Sequence, residues 1–292
     1  MNLLESITLR SADQADYSRL SAFIISERQV HRHLDWRAPL EWLGSHPFLI
    51  AERQRQIEAV LACPPDPKDV AWVRLFCAAN PHQRWQLWAV LLEAALDELH
   101  NGPPVRLAAI ALQDWFQNVL EGSGFVNRHN IVVLEWDGGS LEKIPVRSPI
   151  QIRPMLPEDL PDVERVDWLS FEPLWRNSQD SLELAYEQSA YSTVAENESG
   201  IIGYQISTAV PLSGHLARLA VHPDQQRSRI GYELVRDTLA FFKRQHAWRV
   251  TVNTQSNNLA SLALYQKIGF RRSGEEFRVY EYPNPIGGAS GS

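Results

Sequence analysis

The sequence consists of two halves that repeat one order of secondary-structure patterns about 143 residues apart. The halves open alike, with Ile7-Thr-Leu-Arg10 and Ile150-Gln-Ile-Arg153, each an alternating stretch before a polar turn and a helical pattern. In both halves the patterns predict the order β-α-β-β-β-α-β-α-β. The repeat therefore favours two tandem domains of mixed α/β class over one large domain, each a twisted, mostly antiparallel mixed sheet with flanking helices.

The predicted elements correspond in pairs along the two halves. The strands pair 48–52 with 192–196, 58–63 with 203–209, 73–78 with 216–221 and 105–111 with 248–254, and the helices pair 86–99 with 231–245. Two prolines within 144–149 break the patterns between the halves. We therefore expect domains over residues 1–145 and 149–284, followed by a flexible Gly-, Pro- and Ser-rich tail over 285–292.

Composition excludes several classes of protein. The net charge is −7 over 292 residues, and neither half is basic, so binding to a nucleic-acid backbone is not expected. The longest apolar runs, such as 107–112, are far shorter than the roughly 20 residues that span a bilayer, and the start carries no signal-peptide pattern, so we expect a cytoplasmic protein away from membranes. Cys63, Cys77 and the nine histidines show no metal-ligand spacing, so no metal site is expected.

A candidate anion-binding loop lies in the second half, at residues 222–231. The hydrophobic strand Leu219-Ala220-Val221 ends there, and an amphipathic helix is predicted to begin near Ile230. Unpaired N–H groups at a helix start bind anions, and Arg227 and Arg229 add positive charge. Gly231 allows a ligand to approach the backbone closely. Taken alone, the loop is also compatible with an ordinary strand-to-helix connection with exposed arginines.

Together with residues 258–270, this loop resembles the GNAT acetyltransferase superfamily. The family's loop pattern, Q/R-x-x-G-x-G/A, reads Gln226-Arg-Ser-Arg229-Ile-Gly231 here, with arginine at the first glycine position. The later pattern, N-x-x-A/S-x-x-L/F-Y-x-x-x-G-F, is met by Asn258, Ser261, Leu264, Tyr265, Gly269 and Phe270. The resemblance covers residues 149 to about 282. Within the superfamily this half looks like the ribosomal-protein-alanine N-acetyltransferase branch.

The resemblance implies an enzyme that transfers acetyl from acetyl-CoA directly to a primary amine of a small molecule or peptide, without a metal. Acetyl-CoA would lie where two parallel strands separate. The implied cofactor-binding residues are Leu219, Ala220, Val221 and Asn258 for the pantetheine and Gln226, Arg227, Ser228, Arg229, Ile230, Gly231 and Tyr232 around the pyrophosphate. Phe171, Trp175 and Asn253 are expected to contact the acceptor.

The resemblance also implies two catalytic residues. Tyr265 matches the family's general acid, which protonates the leaving thiolate. His215 falls where arylalkylamine acetyltransferases carry a catalytic histidine, whereas Asn253, at the position of the acid in the N-terminal-amine branch, cannot accept a proton. Water remains the alternative base, because an amine of pKa near 8 is already about a tenth neutral at pH 7.

The first half departs from the family pattern. Leu87 replaces the first loop glycine, Gln113 the asparagine and Leu120 the tyrosine, and Trp85 and Trp88 would crowd a phosphate. We expect a degenerate GNAT-like domain without cofactor, in a monomer or homodimer; a second active domain is the alternative.

For the whole chain the alternatives are a catalytically silent acyl-CoA-binding or interaction protein, which Arg229 and Asn253 favour, and a tandem-domain acyltransferase of a larger conjugate, as in mycothiol synthases.

Overall fold

The computed structural model describes residues 6–139, 141 and 149–287. The chain divides into two compact units: unit 1 comprises the residues up to Arg128 and those from Arg278 onward, and unit 2 comprises His129–Phe277. Each unit contains a mixed, mostly antiparallel sheet system with helices, so the predicted fold class is confirmed. In the described part of the chain, no helix is long and apolar enough to cross a bilayer.

Unit 1 is built mainly from the first half. Its elements are β1 (Thr8–Ser11), α1 (Tyr17–Ser26), β2 (Val30–Arg32), β3 (Phe48–Arg53), β4 (Gln56–Ala62), β5 (Val70–Trp72), β6 (Leu75–Ala78), α2 (Arg84–His100), β7 (Arg106–Ala111), α3 (Asp114–Gly122) and the start of β8 (Val126–Trp136). One antiparallel sheet has the order β1-β3-β4-β6-β2, and β5 pairs with β7 in parallel. Large side chains such as Trp88 and Phe116 fill the core between strands and helices.

Unit 2 is built mainly from the second half. Its elements are β9 (Gln151–Pro154), α4 (Leu160–Ser170), α5 (Gln179–Glu187), β10 (Tyr191–Asn197), β11 (Gly200–Val210), β12 (Ser213–Val221), α6 (Ile230–Arg244), β13 (Arg249–Gln255), α7 (Leu259–Ile268) and the start of β14 (Arg271–Glu281). The sheet order is β9-β10-β11-β12-β13-β8, in which β12 and β13 are the parallel pair. The helices α6 and α7 cover one face of β12 and β13 through a shared core cluster.

Each unit takes its last strand from the other half of the sequence. Residues 131–136 of β8 pair with β13 in unit 2, and residues 278–281 of β14 pair with β7 in unit 1. The predicted join lies largely outside the described residues. The predicted flexible tail is wrong for its described part, because Ile286 is 2% exposed and exchanges two backbone hydrogen bonds with Val105.

The shared openings of the two halves form the same ion pair. Arg10 on β1 binds both carboxylate oxygens of Asp16 at 2.6 Å, and Arg153 on β9 binds those of Asp159 at 2.6 and 2.9 Å. Both carboxylates also accept a backbone N–H at the turn before the helix. The arginine holds the pKa of each carboxyl below its usual range. The repeated motif thus fastens the first strand to the first helix.

Three features were not predicted. The helix α5 follows α4 in unit 2, with the Ser178 hydroxyl capping its start. In unit 1 the short strand β2 follows α1, and the predicted strand 73–78 begins only at Leu75, as β6, with the separate strand β5 ending at Trp72 before it.

Candidate active site

The parallel strands β12 and β13 of unit 2 separate partway along their length. They pair from Ser213 with Arg249 to Leu216 with Val252, after which β12 runs on to Val221 and β13 runs on against β8. A β-bulge lies at the separation point, because Leu216 and Arg218 pair with adjacent residues of β11 and Ala217 is the extra residue. The edge of β12 that follows the bulge therefore lacks a strand partner on the β13 side.

A cleft of about 600 Å³ opens beside this edge. It is lined by Ser170, Phe171, Leu219, Ala220, Val221, Gln225, Gln226, Arg227, Arg229, Ile230, Gly231, Tyr232, Asn258, Ala260, Ser261, Ala263, Leu264 and Lys267. The lining set includes all the predicted cofactor-binding residues except Ser228. Of the predicted acceptor residues, only Phe171 lines the cleft.

The N-terminus of α6 forms one end of the cleft. The helix begins at Ile230 after a polar turn, so its first N–H groups and its dipole are directed at the lining residues. Three cationic side chains, Arg227, Arg229 and Lys267, line the cleft, and its lining residues include no carboxylate within the described ranges. A Cβ added at Gly231 would lie in van der Waals contact with Leu264 Cδ2, at 3.4 Å, so the first turn of α6 is close to α7 at this point. These features suit an extended ligand with an anionic end.

Arg229 occupies a backbone conformation that favours glycine. Its φ is +71° and ψ is +9°, in the left-handed region, and Arg227 before it also has a positive φ of 59°. Left-handed backbone costs a residue with a Cβ about 1–2 kcal/mol. Strain of this kind clusters at ligand sites, and here it falls where the family pattern has its first glycine.

We expect Arg229→Gly to raise the free energy of unfolding by up to about 1 kcal/mol, because relief of the strain exceeds the added entropy of glycine in the unfolded chain. Arg229→Ala is the matched control, since it removes the guanidinium but keeps the Cβ. Chemical denaturation of the three proteins measures the difference. Equal stability of the glycine and alanine variants would contradict a strained backbone at this position.

The helix α7 forms the opposite wall. The Asn258 side chain caps it by accepting the Ser261 N–H at 3.1 Å, so this predicted pantetheine ligand already has a structural role. Sequence reasoning did not assign seven lining residues to the site: Ser170, Gln225, Ala260, Ser261, Ala263, Leu264 and Lys267. The sequence did contain a signal for the lining residues of α7, because Ala260, Ala263, Leu264 and Lys267 have the spacing of one helix face.

Tyr265 lies in the core beneath the separation point. It is 4% exposed, and it shares a hydrophobic cluster with Leu216 and Val252, the last paired residues of the two strands. Burial raises the pKa of its phenol above the usual value, which keeps the hydroxyl protonated. The neighbouring Leu264 lines the cleft, whereas Tyr265 itself is not among the lining residues.

His215 lies one residue before the end of the paired stretch. Its neighbours Gly214 and Leu216 face α6, so the imidazole projects from the opposite face of the sheet to Tyr265. His215 Nδ1 is 2.8 Å from the Thr251 hydroxyl on β13, and burial lowers the pKa of the imidazole. A neutral ring whose Nδ1–H donates to Thr251 leaves Nε2 as a proton acceptor. Like Trp175 and exposed Asn253, His215 is not among the cleft-lining residues.

Unit 1 contains the same separation of strands, but its own chain fills the gap. Arg10 and Arg153 occupy equivalent positions in the two units. When the strand pairing is followed from each of them across the sheet, Leu75–Cys77 of β6 fall at the positions of residues 218–220 of β12. In unit 1 the strand β2 pairs with Leu75–Cys77, and buried His31 bonds Val73 O at 2.8 Å and stacks on Phe116. In the same alignment α2 begins earlier, at Arg84, than α6 does at Ile230. The residues of unit 1 that correspond to the turn before α6 are therefore already helical.

Comparison with known proteins agrees with this geometry. Residues 160–270 match the model of the acetyltransferase (GNAT) family. A Bacillus subtilis (strain 168) protein named as a ribosomal protein bS18-alanine N-acetyltransferase is 23% identical over 135 residues, which are 46% of this chain and 89% of the relative. The predicted resemblance to the superfamily and to this branch is confirmed.

Two solved structures share the fold over nearly the whole chain. A tandem GNAT protein from the clavulanic acid biosynthesis pathway superimposes with a TM-score of 0.61 at 13% identity, covering 97% of this chain and 99% of that one. A GCN5-related N-acetyltransferase from Sphaerobacter thermophilus gives a TM-score of 0.58 at 15% identity and 97% coverage of both chains. At these identities the likeness establishes the fold alone. In the described residues, no group of three or more His, Cys, Asp or Glu side chains is placed to hold a metal ion.

Proposed function

We propose that the chain is an acetyl-CoA-dependent N-acetyltransferase whose active site is the cleft of unit 2 and whose acceptor is a primary amine. The separation of β12 from β13 after Leu216 and Val252 carries this proposal, because it leaves a strand edge and a cleft of about 600 Å³ at the start of α6. The buried free thiols of Cys63 and Cys77 suit a reducing compartment such as the cytoplasm.

The lining residues fit acetyl-CoA. The backbone of Leu219–Val221 offers an extended edge to the pantetheine amides, and the N-terminus of α6 with Arg227, Arg229 and Lys267 offers donors and positive charge to the phosphates. When bound, acetyl-CoA supplies an activated acetyl thioester. Tyr265 would donate a proton to the departing sulfur from one face of the sheet, and His215 would accept the amine proton from the other face.

We propose that unit 1 binds no acetyl-CoA. The edge of β6 that corresponds to residues 218–220 already pairs with β2, and only about 180 Å³ remains between β2 and the start of α3. This supports the expectation of a degenerate first domain.

The proposed base role of His215 predicts a particular pH dependence. Because burial lowers its pKa, His215 is neutral and able to accept a proton at pH 7. We expect His215→Ala to lower kcat/KM below about pH 8, where the acceptor amine is mostly protonated, and to have little effect near pH 9.5. Thr251→Val, which removes the hydrogen bond to Nδ1, should give a smaller change of the same kind. A loss that is equal at every pH would remove His215 from the base role.

Release of free thiol from acetyl-CoA in the presence of a panel of amines tests the proposed function. The panel contains small primary amines, short peptides with a free N-terminus and amine-bearing conjugates. Turnover with one class supports the enzyme and identifies its acceptor. Binding of acetyl-CoA without turnover by any member would instead favour a silent acyl-CoA-binding protein.

A further inference from the structure

A buried ion pair in unit 2 lies outside the groups discussed so far. Asp167 on α4 is 0% exposed, and Arg218 on β12 directly follows the bulge residue Ala217. Arg218 Nε and Nη2 lie 2.7 and 2.6 Å from Asp167 Oδ2. The hydroxyl of buried Tyr204 on β11 donates to the same oxygen. Coulombic interaction with Asp167 helps to raise the pKa of Tyr204 well above its usual value, after burial itself.

This network holds the segment between α4 and α5 against the strand edge of the cleft. Arg218 Nη2 donates to Trp175 O at 2.6 Å, and the Asn177 N–H donates to Asp167 Oδ1 at 3.0 Å. The Arg218 guanidinium lies 3.6 Å from the centroid of the Phe171 ring, and Phe171 lines the cleft. Residues 171–177 are therefore fixed at three points by one ion pair.

The adjoining residue Ser170 strengthens this link to the cleft. Its hydroxyl donates to Val221 O at 3.1 Å, at the end of the unpartnered edge of β12. The wall formed by Ser170 and Phe171 thus lies directly beside Leu219–Val221, the edge to which we assign the pantetheine.

The fold itself does not require these charged groups. The alignment of the strand pairing in the two units places Leu75 of unit 1 at the position of Arg218 and Val60 at the position of Tyr204. The spacing of about 143 residues between the repeats places Ile24 at the position of Asp167. All three are apolar, buried and members of one core cluster. Replacing a buried ion pair by apolar residues often leaves the stability of a protein unchanged or raises it. Unit 1 has apolar residues at all three positions, whereas unit 2 keeps the charged network. The charged version occurs in the unit with the open cleft.

We propose that Arg218, held by Asp167 and Tyr204, is a positioning residue that fixes Phe171 as the acceptor-side wall of the cleft, in part by binding the Trp175 carbonyl of the same segment. This inference rests on the proposed function, because the wall is assigned to the acceptor on that basis. Arg218 acts through the segment 171–177, since its Nε binds Asp167 and its Nη2 binds both Asp167 and the Trp175 carbonyl.

The decisive variant replaces the network by apolar residues of similar size, Asp167→Leu/Tyr204→Phe/Arg218→Met. We expect a melting temperature no lower than that of the unmodified protein and a Kd for CoA within about twofold. We expect the KM for the acceptor to rise by about tenfold or more, with a smaller fall in kcat. Amide exchange across 171–177 should become faster even without any ligand.

Two further variants keep the test decisive if the triple variant folds poorly. Arg218→Lys keeps a cation beside Asp167 but cannot also reach the Trp175 carbonyl, so it should shift acceptor KM and amide exchange in the same direction by a smaller factor. Arg165→Met removes the exposed pair between Arg165 and Asp162 on the same helix, and it should change neither quantity.

A folded triple or lysine variant with unchanged acceptor KM and unchanged exchange over 171–177 would overturn the proposal. Amide exchange and CoA affinity are measured without turnover. If no amine is acetylated, faster exchange with normal CoA affinity still supports the positioning of the wall, and only the assignment of the acceptor fails.

Discussion

Replacing Tyr265 by phenylalanine is expected to lower kcat for acetyl transfer by about 100-fold or more, with the affinity for acetyl-CoA changed by no more than about twofold. The expectation follows from the position of the residue, which shares a buried cluster with Leu216 and Val252 at the point where the strands separate. Burial raises the pKa of the phenol, so the proton needed by a departing thiolate is retained at neutral and alkaline pH.

Tyr191→Phe is the matched control for this prediction. Tyr191 also has a raised pKa, but its hydroxyl binds Asp237 at 2.7 Å, and the residue does not belong to the buried cluster that holds Tyr265 at the separation point. Steady-state kinetics should show a normal rate for this control. An unchanged rate for Tyr265→Phe would remove the tyrosine from the mechanism and leave proton delivery to water.

The second large effect is expected for Gly231→Asp, which should weaken acetyl-CoA binding by about 100-fold or more. At an effective dielectric constant of about 20, two like charges 4 Å apart repel by about 4 kcal/mol, and 1.4 kcal/mol corresponds to a factor of ten in affinity. An aspartate in the first turn of α6 favours the helix itself, so the loss of affinity should occur in a folded protein.

Gly231→Asn provides the control for size. Asparagine has nearly the volume of aspartate and brings the same Cβ contact with Leu264, without the charge. We expect its loss to be about tenfold or less by isothermal titration, with thermal melting as the check on folding. Equal losses for the two variants would show that space, and not charge, governs this end of the cleft.

The sequence was sufficient to predict the fold class, most element positions and much of the cleft lining. Hydrophobic periodicity located β12, α6 and β13. The family resemblance of the loop and helix motifs implied 11 cofactor-binding residues, and the structure places 10 of them along one cleft. These features are local in the chain, and local patterns determine them.

Long-range pairing could not be predicted in the same way. A strand such as β8 has the same alternating pattern whichever sheet it completes, so its pairing with β13 left no local signal. The strand β2 has three residues, too few for a recognisable alternation, although it closes the gap in unit 1. The partners Asp167 and Arg218 are far apart in sequence, and each alone has the pattern of an ordinary polar residue of a helix or strand.

Calorimetric titration with acetyl-CoA, carried out on the unmodified chain and on Gly231→Asp, tests the central claim most directly. The claim predicts one molecule bound per chain in the unmodified protein and binding weakened by about 100-fold or more in the variant. Two molecules per chain, no heat at all with the unmodified protein, or an affinity that the substitution leaves unchanged would each contradict the assignment of a single acyl-CoA site to the cleft beside Leu219–Val221.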